Sequence, residues 1–268
     1  MHRITSINFK TIQPNGIYRG TLLSAVGKIV VFFKCIKQND SSFLFLVPGG
    51  FESAEAEFEK LHFMEKLEIR PRPDLSYIRI LGPDLKSINS KSIVVSENRW
   101  NKNVWNEKES FSNDTSVVCL KDDLEQWKTY LTQNSFVEKK DLEEQRVLSG
   151  DPESIFELGR KTIPLEASLT DAIHENKGCY PGQEVIERII SMGKPPRLLC
   201  AVSGKGLKAG EKLFLQEKQV GDVTSVVEHN GTTYGLAIVS RQAVSSPNFE
   251  TNKTDFSVNT TKVEIKLL

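Results

Sequence analysis

The sequence lacks an excess of charge of either sign: 35 Lys and Arg residues face 35 Asp and Glu, for a formal net charge of zero. A chain that held nucleic acid by electrostatics alone would be basic, so no direct nucleic-acid partner is indicated. Long apolar runs are lacking too. A bilayer-spanning helix needs roughly 18 apolar residues in a row. The longest apolar stretches here, KIVVFFKCI (28–36) and FLFLV (43–47), are only strand-length. The opening MHRITSINFKTIQPNG has no apolar core of signal-peptide length, so a cytoplasmic monomer without a membrane partner is the expectation. Cysteine is scarce. Cys35, Cys119, Cys179 and Cys200 are too far apart to make a CxxC pair. That excludes a zinc ribbon or a disulfide framework, suits a reducing compartment, and leaves no metal site assigned. Neither GxGxxG nor a P-loop occurs, so nucleotide-phosphate binding has no support.

What remains is a chain of 268 residues, 38% hydrophobic and 26% charged, long enough for two or three compact domains. LLSAVGKIVVFFKCI (22–36) and SSFLFLVP (41–48), joined by KQND, read as a β-hairpin. SAEAEFEKLHFMEKL (53–67) follows as a helix capped by Ser53, with Phe58, Leu61, Met64 and Leu67 at helical spacing. The prolines of EIRPRPDLSYIRILG (68–82) force extended chain. SIVVS (92–96) and SVVCL (116–120) are strand-like, and DDLEQWKTYLTQN (122–134) is a helix capped by Asp122 or Asp123. Asp151-Pro152-Glu153 reads as a helix start with proline at the first position. This order has no regular βαβ alternation, so the fold class is α+β with antiparallel sheets. After Pro195-Pro196 the chain becomes a series of short strands with Gly turns. Asn230-Gly231 is its strongest hairpin signal, and a small β-barrel is expected from about residue 196 onward.

The densest chemistry lies in KGCYPGQEVIER (177–188). Pro181 and Gly182 make a turn, and the following residues read as a helix whose apolar face is Val185, Ile186, Ile189 and Ile190. Cys179 then sits just before a helix N-terminus, where a thiolate is favoured, with Lys177 two residues away. Gly178 leaves room for a ligand's approach, and Tyr180 offers a flat face and a phenol. Each of these residues also has an ordinary structural use: Cys179 as a small apolar side chain, Glu184 as a first-turn acid, Tyr180 as core.

KGCYPGQE resembles the signature of the YgfZ family of folate-binding proteins, which are related to the aminomethyltransferase (T-protein) of the glycine cleavage system. IPLEASL (163–169), Arg188, Gly193, Arg197-Leu198, VGDVTSVV (220–227) and LLSAVGKIVVFF (22–33) extend the resemblance over most of the chain. The family's Arg-x-x-x-Gly element is represented by Gly159-Arg160. Fewer residues precede the matching region than in the family, so a shortened wall on one side of the folate site is expected.

The resemblance implies a three-part cloverleaf of the aminomethyltransferase type. Residues 1–50 and 140–195 would form a discontinuous folate-binding domain, 51–139 an inserted ferredoxin-like domain, and 196–268 the barrel. It implies tetrahydrofolate, or a derivative, bound in a central hole. It further implies that iron–sulfur proteins or their assembly machinery, including tRNA-modifying enzymes, are partners. For folate, Glu166 or Glu184 is assigned to the pterin edge, Tyr180 to a ring face, and Lys177, Arg188 and Arg197 to the anionic tail. Gln183 lies beside them, and Cys179 is the candidate reactive thiol. Lys177, Cys179 and Tyr180 are expected at the cavity mouth.

Three activities compete. The favoured one is a folate-binding accessory protein without turnover. The second is a one-carbon (aminomethyl) transferase, which needs a carboxylate at the reacting carbon; SENRWNKNVW (96–105) has no Asp at the matching place. The third is a thiol enzyme with Cys179 as nucleophile and His174 as base. A single cysteine cannot hold a cluster unless a partner supplies other ligands.

Overall fold

A computed structural model describes residues 1–14, 16–48, 51–61, 67–82, 92–97, 104–105, 113–136, 142–153, 156–245, 249 and 255–268. Strands β1 (Ile17–Leu23), β2 (Ile29–Lys37) and β3 (Phe43–Leu46) form an antiparallel meander in that order. The sequence reading ran residues 22–36 together as one strand. The structure instead ends β1 at Leu23 and turns through Ser24–Gly27, where Gly27 has φ +74° and Ser24 N–H donates to the Lys28 carbonyl at 2.9 Å. Gly27 can adopt this left-handed conformation without Cβ strain. The KQND turn falls where expected, between β2 and β3.

β2 is the middle strand, and both its faces are covered. Phe32 points into one apolar cluster and Val31, Phe33 and Cys35 into another, as the two-residue period of a strand requires; Ile29, beyond a register irregularity opposite Leu22 and Leu23, joins Phe32. On the first side lie Leu158, Ala167, Leu169, Ala172, Ile173, Tyr180 and Ile186, so residues 158–186 return to pack on this sheet. On the second side lie Ile4, Ile7 and Ile12 of the leading segment, with Ala54 and Phe58 of helix α1 (Phe51–Glu59). Ser53 is therefore inside α1, not its cap, and Met64 lies outside the described residues.

A second sheet has the order β4 (Leu75–Gly82), β6 (Asn113–Leu120), β5 (Ile93–Glu97). Helix α2 (Leu124–Gln133) buries Trp127 against Ile80, Val117 and Cys119 of this sheet. A 3₁₀ turn at Lys121–Asp123 precedes α2, and the Asp123 side chain makes no capping bond. Ile36 and Leu44 meet Val118 in a small apolar cluster that joins the two sheets.

Helix α3 (Glu143–Leu148) follows, and residues 151–153 belong to no helix, so the expected helix start at Asp151-Pro152-Glu153 does not form. Asp151 instead takes the Arg19 guanidinium at 3.1 Å, with both residues buried. Helix α4 spans Gln183–Met192. Of its expected apolar face only Ile186 is fully buried, and Ile190 is 41% exposed.

From Arg197 onward the barrel forms as expected. Strands β7 (Arg197–Gly204), β8 (Lys212–Leu215), β9 (Lys218–His229), β10 (Thr232–Ser240), β11 (Phe256–Val258) and β12 (Thr261–Leu267) close in the order β10-β7-β12-β11-β8-β9. Asn230 and Gly231, both at positive φ, make the two-residue β9–β10 turn. Arg146 of α3 fastens the barrel to the rest. Its guanidinium donates to Glu157 at 3.0 Å and to Ser225 Oγ of β9 at 2.8 Å, and Ser225 donates to Glu157 at 2.6 Å. No helix among the described residues is long and apolar enough to cross a membrane.

Candidate functional site

Two places carry chemistry. The first is the turn ahead of α4. Lys177 is buried, and its ammonium donates to the backbone carbonyls of His2, Thr5 and Ile7. Three N–H donors meet three acceptors, which suits an ammonium. Nζ also lies 4.8 Å from the centre of the Tyr180 ring. Burial pushes Lys177 down to about 8. Burial, then the Lys177 charge, lowers His174 and His2, which favours neutral imidazoles.

Tyr180 is core, packed on Leu23, Phe32 and Ile186, and burial raises its phenol to about 12. Gly182 has φ +78°, and a Cβ there would meet Ser24 O at 2.6 Å and Gly27 Cα at 2.8 Å. The glycine is thus required by backbone-to-backbone contact between the α4 cap and the β1–β2 turn. Around Gly178 there is open space, with only His2 Nε2 at 3.9 Å from a would-be Cβ.

Cys179 is exposed. Gly182 is the N-cap of α4 and Gln183 its first residue, so the thiol is outside the first turn, within which the dipole's influence is confined. The Lys177 charge is committed to the carbonyls. Neither the α4 N-terminus nor an uncommitted lysine charge is therefore supplied to the thiol. Lys177, Tyr180 and Gln183 line a hollow of about 240 Å³ with His174, Ile190 and Glu187; Cys179 does not line it.

The other sequence candidates are not gathered there. Gln183 and Glu184 do open α4, but the Glu184 side chain is 94% exposed, with Arg188 at 3.9 Å along the same helix. Glu166 and Arg197 hold each other: Arg197 Nε lies 2.9 Å from one carboxylate oxygen and Nη2 2.6 Å from the other. Glu166 also accepts the Ile163 N–H at 3.0 Å, and Arg197 donates to the Lys161 carbonyl. Their charges join the segment before α4 to the first barrel strand.

The second place is a cleft of about 1000 Å³ between the first and second sheets. Its walls are Phe32 of β2, Phe43 and Phe45 of β3, Phe58 of α1, and Tyr77 of β4, with Met1 at one side. Lys34, Arg79 and Glu153 also line it. Glu153 Oε1 lies 3.2 Å from Lys34 Nζ and 3.4 Å from Arg79 Nη2, and its other oxygen accepts from Arg79 Nη1. Arg70 and Arg72, on the proline-extended stretch before β4, lie at the cleft too, paired with Glu68 and Asp74.

Sequence reasoning missed this site because its residues come from five separated segments with no motif. A faint signal existed. Lys34 interrupts an apolar strand, and a charge in such a strand needs a partner. Arg146 was missed likewise: the Arg-x-x-x-Gly spacing occurs at Arg146–Gly150, and Gly159-Arg160 was taken in its place. Residues 98–103 of the segment SENRWNKNVW lie outside the described residues.

No family model matches the chain. Over 135 residues, 49% of its length, it is 31% identical to the Arabidopsis thaliana protein described as "Putative transferase At1g60990, chloroplastic". That match spans 31% of the plant protein, so the chain accounts for about a third of the curated relative it resembles. The structure superposes on the glycine cleavage system aminomethyltransferase T of Bartonella henselae with a TM-score of 0.75, covering 99% of this chain and 78% of that one at 15% identity. The chain has the aminomethyltransferase T fold. At that identity the likeness establishes architecture alone, and residue roles must come from the side chains present.

Proposed function

We propose that this protein is a tetrahydrofolate-binding accessory factor for the assembly or maintenance of iron–sulfur enzymes, tRNA-modifying ones included. The observation that carries the folate part is the cleft. Its volume is at the upper end of the range for small-molecule sites, and its walls are aromatic with a few charged groups. A reduced pterin is flat and presents a row of N–H donors that a carboxylate such as Glu153 accepts side by side. Phe and Tyr faces suit its p-aminobenzoyl ring. Arg70 and Arg72, which also line the cleft, suit the anionic glutamate tail. The fold likeness supports the same ligand class. The iron–sulfur role rests on the KGCYPGQE resemblance, with iron–sulfur proteins or their assembly machinery as the partners.

A one-carbon transferase is the second reading, favoured by the names of both similar proteins. Glu153, the carboxylate in the cleft, is held between two cations, which suits binding better than proton transfer.

Titration of tetrahydrofolate and its formyl and methylene forms tests the proposal. The wild type is expected to bind at least one form. Glu153→Gln is expected to weaken it about tenfold, equivalent to about 1.4 kcal/mol. Glu184→Ala, exposed on α4, serves as the control and is expected to change nothing. Failure of the wild type to bind any form would overturn the folate reading. Aminomethyl transfer from the glycine-cleavage carrier protein is expected to be absent, and turnover would favour the transferase. Deletion of the protein in cells is expected to lower the activity of iron–sulfur tRNA-modifying enzymes.

A further inference from the structure

The leading segment, residues 1–12, connects the two places described above. Its middle is held by the Lys177 ammonium through the carbonyls of residues 2, 5 and 7. Ser6 adds a stitch: its hydroxyl donates to the Ala172 carbonyl at 2.5 Å and accepts the Thr21 N–H at 2.8 Å. His174 N–H donates to the Ser6 carbonyl at 3.1 Å. Lys37 holds the far end through the Ile12 carbonyl at 3.2 Å.

The side chains of the same segment reach the cleft wall. Phe9 meets Phe43 edge-on, with ring centres 4.9 Å apart, and stacks near Phe45 at 6.2 Å. Phe45 in turn touches Phe33 and Phe58. Phe43, Phe45 and Phe58 line the cleft, and Met1 lines it directly. Among the described residues β3 is the edge strand of its sheet, hydrogen-bonded to β2, and Phe9 adds to the support that Phe33 and Phe58 give this wall.

We propose that Lys177 is a positioning residue for the cleft: by clamping residues 2–7 it holds the wall made by Met1, Phe43 and Phe45 in its ligand-accepting form. The proposal rests on the cleft being the ligand site. It gives the lysine of the KGCYPGQE turn a role in binding without any contact to ligand. Coupling is carried by contiguous packing and hydrogen bonds, and such links modulate affinity by modest factors.

The test uses the full chain, its Lys177→Met variant, and Ser6→Ala as a milder release of the same segment. Amide hydrogen exchange is read first. The amides of Ile4 and Thr5, bonded to the Met1 carbonyl, and of Ser6, bonded to the Thr21 carbonyl, are expected to exchange about tenfold faster. β3 amides, residues 43–46, are expected to speed up with them, while barrel amides of β7 stay unchanged. Tetrahydrofolate affinity is expected to fall about three- to tenfold. Faster exchange in residues 4–6 with β3 and affinity unchanged would reduce Lys177 to a local staple and overturn the proposal, as would unchanged exchange in residues 4–6. If the wild type binds no folate, the folate reading fails on its own, and exchange at β3 still decides this proposal. If Lys177→Met does not fold, Ser6→Ala is read by the same criteria.

Discussion

The turn at residues 177–184 and the cleft between the sheets are opposites. The turn is dense in sequence and closed in space. Lys177 is bonded to three carbonyls, Tyr180 is core, and Gly182 is pressed against Gly27, while Gly178, Cys179 and the first residues of α4 face outward. The cleft is dispersed in sequence and open in space, with aromatic walls and three charged side chains brought together from β2, β4 and the segment after α3. The contrast teaches that a dense signature can mark a joint. A joint constrains many adjacent residues at once, because each must fit backbone it touches, whereas a binding surface recruits single residues from many elements.

The largest effect that separates the two regions is expected at Gly182. Gly182→Ala forces a Cβ into the Ser24 carbonyl at a left-handed φ, and equilibrium denaturation is expected to show a loss of about 4 kcal/mol. A neutral result would mean that the turn is not a joint.

Arg197→Leu comes next. It leaves the Glu166 carboxylate, 3% exposed, with only the Ile163 N–H, and a loss of about 3 kcal/mol is expected. If Arg197→Leu weakened folate binding at unchanged stability, the pair would have to be reassigned to the ligand.

The pH dependence of Lys177 sharpens the picture of a buried clamp. Its folded value of about 8 lies below the unfolded value of 10.5. Between these values the unfolded chain holds the extra proton, so this group adds stability as pH rises from about 8 to 10.5 and nothing below about 7. The difference in melting temperature between wild type and Lys177→Met, followed from pH 7 to 10.5, is expected to widen in favour of the wild type. A flat difference would place the ammonium in solvent.

The smallest effect is expected at Cys179. Cys179→Ser is expected to change stability by under about 0.5 kcal/mol. Alkylation of the native chain is expected to label Cys179 alone of the four cysteines, since Cys35, Cys119 and Cys200 are buried. Burial also raises Cys35 and Cys200 to about 12, which keeps them as unreactive thiols. Labelling at a second cysteine would mean that the core opens on the timescale of the reaction.

Sequence by itself determined the local elements and their order. The strand character of β2, the Asn230-Gly231 turn, the succession of short strands after Pro196 and the helix after Gly182 were legible because residue propensity and turn chemistry act between near neighbours. The break at Ser24–Gly27 was not, because a four-residue turn inside a Val/Ile/Phe run shows only as one glycine. Nor was the non-helical course of Asp151–Glu153: their local signal favours a helix, but Asp151 and Glu153 are taken by Arg19 and by Lys34 with Arg79, all remote in sequence. Tertiary structure alone decided what each charged side chain is for. Glu166, Arg197 and Lys177 have the chemistry of ligand-binding residues, and long-range contacts turned them into internal ties. Lys34, Arg79 and Glu153 looked like ordinary strand and loop charges, and the packing of two sheets assembled them in a cleft. A side chain's type states which bonds it can make, and only the fold, by bringing distant partners within about 3 Å, states which bonds it does make.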